Sequence, residues 1–181
     1  MRAFIALELP KEIKKEIAKI QKQLQRAGAK ATWVKPEIAH LTFAFLGSVT
    51  HNELEIIHKI LEEEVKKSSL LKLRLELVNC FPNPERARII FVELQGDLKE
   101  LNYLVKQIRK NLKQQKIWLD DKPFAPHVTL GRVRKQANLT HVLKGIKVKK
   151  LEFLAREITL NQSTLGRSGP KYTQLKICHL T

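Results

Sequence analysis

A nine-residue pattern occurs twice in this chain, and it limits the possible architecture more than any other feature. Lys35-Pro36-Glu37-Ile38-Ala39-His40-Leu41-Thr42-Phe43 reads K-P-x-x-x-H-h-T-h, where h is hydrophobic, and Lys122-Pro123-Phe124-Ala125-Pro126-His127-Val128-Thr129-Leu130 reads the same. His127 follows His40 by 87 positions in a chain of 181 residues, about half its length. Each copy lies where a Pro-containing loop enters a strand, and a glycine follows each, Gly47 or Gly131. A duplication at that interval implies a pseudo-symmetric molecule whose two lobes each present one copy.

Side chains alternate faces along a strand. His40 and Thr42 therefore share one face, while Leu41, Phe43 and Phe45 take the other and are expected to bury. His127 and Thr129 are likewise opposed to Val128 and Leu130. With the two strands adjacent across the pseudo-twofold, two imidazoles and two hydroxyls meet in one cleft. That set suits phosphoester hydrolysis. One imidazole takes a proton from the attacking water while the other gives one to the leaving oxygen, and an unperturbed pKa of about 6.5 keeps both forms available near neutrality. Threonine hydroxyls donate to the non-bridging oxygens where charge builds. Apart from Glu37, which stands alone, neither motif carries the carboxylates that would hold a metal, so no metal and no cofactor are expected. One H-h-T-h is commonplace at a strand edge, and a duplication kept for folding alone is the structural alternative. The second copy in the same frame makes the chemical reading specific.

Residues 2–8 alternate as a strand. Ile13, Ile17, Ile20 and Leu24 recur at helical spacing between Pro10, suited to a first turn, and Gly28. A short strand at 31–34 precedes Pro36, and His40 to Leu46 forms a strand ended by Gly47. Thr50-His51-Asn52-Glu53 has the form of a capping box, which starts a helix running to about Lys67. Strands at 70–79 and 87–94 flank the turn-rich Phe81-Pro82-Asn83-Pro84. Asp97 is placed as the N-cap of a helix carrying Leu101, Leu104, Val105, Ile108 and Leu112. A loop at 120–126 leads to a strand from His127 to Val133. A short helix near 138–144, a long strand near 146–160, a loop at 161–170 and a last strand at 171–179 follow. Strands able to pair antiparallel, mixed with helices, define the α+β class. No low-complexity stretch or linker divides the chain, and residues 1–181 are expected to form a single bilobal domain.

The chain holds 34 Lys and Arg against 18 Asp and Glu, a formal charge of +16. Ion-pair networks of the thermophile type explain abundant charge but not a one-sided excess. The excess favours a polyanionic partner, with nucleic acid the default. Such a field speeds encounter and holds phosphates without specifying chemistry. Cys80 and Cys178, one in each half with no C-x-x-C spacing, read as free thiols rather than a zinc site or a disulfide. No apolar run reaches bilayer-spanning length, and the opening Met1-Arg2-Ala3-Phe4-Ile5-Ala6-Leu7-Glu8 turns acidic too soon for a signal peptide. A cytoplasmic protein without membrane association is expected.

The motifs carry a resemblance that covers nearly the whole chain. W-V-K-P-E-I-A-H-L-T-F-A-F-L-G and P-F-A-P-H-V-T-L-G-R-V resemble the two signatures of the 2H phosphoesterases. Within that group they resemble the RNA 2',3'-cyclic phosphodiesterases, also called 2'-5' RNA ligases. The opening R-A-F-I-A-L-E-L-P, the segment F-P-N-P-E-R-A-R-I-I-F-V, and Ser163, Leu165, Gly169 and Tyr172 are similar to the same family. The resemblance implies a bilobal, pseudo-symmetric α+β fold with helices flanking two antiparallel sheets and a basic cleft between them. It implies opening of an RNA 2',3'-cyclic phosphate to a 2'-phosphomonoester, with the 3'-oxygen departing. His40 and His127 become the catalytic pair, and Thr42 and Thr129 bind phosphate. His40 is assigned as acid and His127 as the activator of water; the reverse stays open. Arg132 matches a family arginine that contacts phosphate. Strict alternation turns it toward the core, so that role requires a bulge, for which Gly131 is a natural site. The implied partners are RNA with 2',3'-cyclic phosphate ends and cyclic nucleotides, handled by a monomer. RNA joining uses the same four residues in reverse and stands as an alternative main role.

Other residues divide between bland and functional readings. His51 and His58, seven apart on one helix face, suit surface positions better than a metal pair. His141 and His179 show no role. Trp33, Trp118, Phe4 and Tyr172 can stack a base, although core packing is the usual fate of a tryptophan. The clusters Arg132-Val133-Arg134-Lys135 and Lys147-Val148-Lys149-Lys150 are either RNA-steering patches or solvated edge strands. A non-catalytic RNA-binding module is the competing class, and it predicts salt-sensitive binding without turnover.

Overall fold

The fold is described by a computed structural model covering residues 1–181. In chain order the elements are β1 (Arg2–Glu8), α1 (Lys11–Arg26), β2 (Thr32–Trp33), β3 (His40–Ser48), α2 (His51–Lys66), β4 (Leu71–Phe81), β5 (Ala87–Gly96), α3 (Leu98–Gln114), β6 (His127–Ala137), α4 (Thr140–Lys144), β7 (Glu152–Ala155), β8 (Glu157–Gly166) and β9 (Gly169–His179). Short 3-10 turns at Pro36–Ile38 and Pro84–Arg86 begin on the prolines that suit them.

The periodic segments form where the apolar spacing places them. Ile13, Ile17, Ile20 and Leu24 bury one stripe of α1, and Leu101, Leu104, Val105, Ile108 and Leu112 do so for α3. Thr50 caps α2: its hydroxyl accepts from the Glu53 N–H at 3.2 Å, and the Glu53 carboxylate accepts from the Thr50 N–H at 2.7 Å. No helix is long and apolar enough to cross a membrane.

All strand pairs are antiparallel, in two sheets of order β3-β1-β8-β9 and β2-β6-β5-β4-β7. The duplication is visible in the topology. In one half β1 pairs with β3 across α1, and in the other β5 pairs with β6 across α3. The registers correspond as well: Glu8 lies opposite His40, and Glu93 opposite His127. The two motif strands occupy the facing margins of their sheets, since β3 is an edge and only the two-residue β2 lies beyond β6. They touch each other across the gap. The bilobal α+β fold with two antiparallel sheets and flanking helices is the one expected.

Several local expectations require correction. Asp97 precedes α3 but makes no cap bond; its carboxylate accepts from the Lys72 N–H at 2.7 Å and ties the helix start to β4. The long strand expected near 146–160 is two strands in different sheets, with β7 pairing to β4 and β8 to β1. Residues 145–151 lie in no strand. A continuous apolar pattern cannot reveal that the chain leaves one sheet at Arg156 and enters the other. The loop expected at 161–170 is mostly strand, and only Arg167 and Ser168 form the hairpin turn between β8 and β9. Its polar run, Asn161-Gln162-Ser163-Thr164, pairs across to β9, a contact far from its local sequence signal. β3 also runs through Gly47 to Ser48, because Gly47 takes φ of +61° and continues the ladder past an extra residue.

Candidate active site

The site rests on one irregularity repeated in both lobes. In the β1–β3 ladder Thr42 faces Ala6 and Ala44 faces Ile5, so Phe43 is an extra residue. In the β5–β6 ladder Thr129 faces Phe91 and Gly131 faces Ile90, so Leu130 is extra. Each bulge falls one residue after the motif threonine. Two successive residues then bury, Phe43 with Ala44 and Leu130 with Gly131, and the third residue after each threonine returns to the histidine face. Arg132 thereby reaches the cleft, as its assigned role required. By the same device Phe45 is not a core residue, contrary to the alternation argument. It is 46% exposed and lines the cavity with His40 and Thr42. The two lobes are thus alike in His and Thr but differ at the matching third position, where one offers phenyl and the other guanidinium.

Gly131 allows a close crossing. A Cβ there would come within 3.0 Å of the Trp33 ring and 3.2 Å of the Thr32 carbonyl oxygen. Gly131→Ala is therefore expected to destabilise the fold by about 1–3 kcal/mol through overpacking, read as a lowered midpoint of thermal unfolding.

His40, Thr42, His127, Thr129 and Arg132 all line one cavity of about 260 Å³, together with Trp33, Phe45 and Tyr172. The two imidazoles are held in the same way. Nδ1 of His40 donates to the Ile38 carbonyl at 2.8 Å, and Nδ1 of His127 to the Ala125 carbonyl at 2.6 Å. A carbonyl oxygen only accepts, so Nδ1 carries hydrogen in both rings and Nε2 is the working nitrogen. Nε2 of His40 lies 2.9 Å from the Thr42 hydroxyl. Aromatic rings enclose both imidazoles: Phe4 stacks on His40 at 4.9 Å with Tyr172 edge-on at 5.5 Å, while Phe81 and Phe91 meet His127 edge-on at 5.0 and 5.3 Å.

Burial lowers the pKa of both histidines below the ordinary value. The smaller influences differ. The Glu8 carboxylate pulls His40 back up, whereas the Arg132 guanidinium pushes His127 further down. Lys14, paired with Glu8, opposes that pull on His40, and burial remains the largest influence on both rings.

One organising residue had no sequence signal. Arg109 on α3 donates to the Phe43 carbonyl at 3.1 Å, the Asp120 carboxylate at 3.3 Å, and the carbonyls of Asp120 and Lys122 at 2.5 and 3.2 Å. Asp120 in turn exchanges hydrogen bonds with the Phe45 backbone. Arg109 and Asp120 so join the first motif strand to the loop that leads into the second motif. A helix arginine looks like any other solvated cation until the tertiary structure seats it.

The remaining candidates lie elsewhere. His58 pairs with Glu62 and His179 with Glu157, and neither lines the cavity. Cys80 and Cys178 are buried free thiols, and burial pushes the Cys80 pKa up to about 11. Phe4 is buried, Trp33 and Tyr172 are half-buried at the cavity, and the exposed Trp118 lies on Gly47. Residues 147–150 form no edge strand, and Lys150 is paired with Glu76. No group of three or more His, Cys, Asp or Glu is arranged to hold a metal ion.

Fold and site together mark a two-lobed phosphoesterase, and comparison with known proteins agrees. The chain belongs to the LigT like Phosphoesterase family, whose pattern matches it twice, over residues 7–91 and 92–172, one match around each motif. More particularly, it is 33% identical to a Methanocaldococcus jannaschii protein named RNA 2',3'-cyclic phosphodiesterase, across 97% of this chain and 99% of that protein. An Archaeoglobus fulgidus protein of the same name is 32% identical, across 98% of this chain and 99% of its own length. Among solved structures, TT0787 of Thermus thermophilus superposes with a TM-score of 0.84 at 27% identity, covering 99% of this chain and 98% of that one. E. coli LigT complexed with 3'-AMP shares the fold at a TM-score of 0.80 and 23% identity, covering 99% of this chain and 98% of that one.

Proposed function

We propose that this protein hydrolyses RNA 2',3'-cyclic phosphate ends to 2'-phosphomonoesters by metal-independent acid–base catalysis. The observation that carries the reading is the pair of imidazoles, oriented alike by their Nδ1 bonds, that border one small cavity with two threonines and an arginine. Relatives named for this reaction, similar over the whole chain, support the choice of substrate.

In the proposed reaction Nε2 of neutral His127 takes a proton from water as the water oxygen bonds to phosphorus. The P–O3' bond breaks, and protonated His40 gives its Nε2 hydrogen to O3'. The product carries a 2'-phosphate and a 3'-hydroxyl. Hydroxyls of Thr42 and Thr129 and the Arg132 guanidinium donate to the non-bridging oxygens, where transition-state charge is greatest. Phe45 and Tyr172 supply aromatic surface beside the phosphate on which a nucleobase can stack.

The test is incubation of the EDTA-treated protein with 2',3'-cyclic AMP. The expected product is 2'-AMP, identified by phosphorus NMR; 3'-AMP would reverse the acid and base faces, and no product would leave a binding module. The pH dependence carries a sign. Burial lowers both histidine pKa values, so both limbs of the kcat/KM bell move to the acid side, and activity declines as pH rises through neutrality because the acid loses its proton. In the kcat profile the limbs move back up, since bound phosphate favours imidazolium. A kcat/KM optimum above pH of about 8 contradicts this assignment.

A further inference from the structure

Beside the cavity runs a second depression of about 910 Å³, bounded by the chain from Gly28 to Ala31 and by β6 from Val133 onward. Trp33 lines both spaces, so the two lie side by side. No acidic side chain lines the second one, whereas Lys30, Arg134 and Lys135 do, all exposed and none in a salt bridge. β2 covers β6 only at Gly131 and Arg132, so beyond them this margin of β6 has no strand partner. From Thr129 to Lys135 the strand rises roughly 20 Å, which extends the cationic surface well past a single nucleotide at the phosphate site. The other basic cluster differs, because two carboxylates stand within it: Glu76 pairs with the Lys150 ammonium, and Glu16 accepts from the Lys149 backbone N–H.

We propose that this groove is the track for the single-stranded RNA leading to the cyclic end. Trp33 stacks the first base beyond the cleft, and Lys30, Arg134 and Lys135 hold successive phosphates. An aromatic platform opening onto a cationic groove is the combination by which proteins follow a single strand without reading its sequence. The proposal rests on the reaction proposed above, and it adds the residues that hold the RNA upstream of its cyclic end.

The experiment compares two substrates, 2',3'-cyclic AMP and a decaribonucleotide ending in a 2',3'-cyclic phosphate. The enzymes are the unaltered protein and the triple variant Lys30→Gln, Arg134→Gln, Lys135→Gln. The expected result is a kcat/KM for the oligomer lowered by about tenfold at about 50 mM salt, with that for the mononucleotide unchanged. The slope of log affinity against log salt for the oligomer, measured by fluorescence anisotropy, should flatten by about 2, the share of three phosphate contacts on a single strand. The cation-conserving variant Lys30→Arg, Arg134→Lys, Lys135→Arg should retain the oligomer preference. An unchanged oligomer rate and salt slope in the Gln variant overturns the track, as does an equal loss on both substrates. Should the unaltered protein turn over neither substrate, the reaction fails, and the anisotropy slope alone still decides the track.

Discussion

His127→Ala is expected to lower kcat/KM for 2',3'-cyclic AMP by about 10² to 10⁴, and His40→Ala to do the same, because in the proposed reaction each removes one of the two proton transfers. The double variant is not expected to show the product of the two losses. Residues that act as a unit are non-additive, and the phosphate-binding groups remain to give residual activity. Thr42 and Thr129 are untouched, so binding of a phosphate product weakens far less than turnover. Full activity in either single variant would refute the acid–base pair. A second readout tests the burial of the imidazoles. Both pKa values are lower in the fold than the ordinary histidine value expected of the unfolded chain. Below that ordinary value the unfolded chain binds more protons, so stability is fully present above about pH 6.5 and falls as pH drops toward the folded pKa values. Thermal midpoints of the double variant should lose that dependence.

Arg109→Met is expected to cost about 1–3 kcal/mol, the result of leaving the partners of a half-buried cation without its hydrogen bonds. The guanidinium is 14% exposed and the Asp120 side chain 19%, so the variant leaves the Asp120 carboxylate with only the Phe45 N–H and takes a donor from three backbone carbonyls in a half-buried region. For a chain of this length the loss corresponds to a thermal midpoint lower by roughly 2–12 °C. Arg109→Met with Asp120→Asn should recover part of it, since the stranded carboxylate is then neutral. The network also sets the position of one motif against the other, so kcat of the folded variant should fall while the pH profile keeps its shape. A variant as stable as the unaltered protein would show that the two motifs are registered by the core alone.

The contrast between these two predictions reflects what each depends on. The place of His40 and His127 at the cavity was legible because it follows from a local pattern, and a strand alternates faces whatever surrounds it. The helices were legible for the same reason: Ile13 to Leu24 and Leu101 to Leu112 carry their burial in their spacing. Alternation failed at Phe45 because a bulge one residue after Thr42 reverses the phase, and a bulge is a property of a pair of strands. The break at Arg156 was hidden likewise, as nothing local distinguishes two short strands in separate sheets from one long strand.

The amino-acid sequence by itself determined the duplicated lobes, the residue types at the cleft and the excess of positive charge. These follow from covalent order and from periodicities of two or about four residues. Only the tertiary structure decided that Phe45 and Arg132 share the cleft, that Arg109 joins the two motifs, and that Lys30 meets Arg134 and Lys135 along one groove. Those contacts link positions tens of residues apart, and their energy comes from burial and charge compensation that exist only once the sheets have closed on each other.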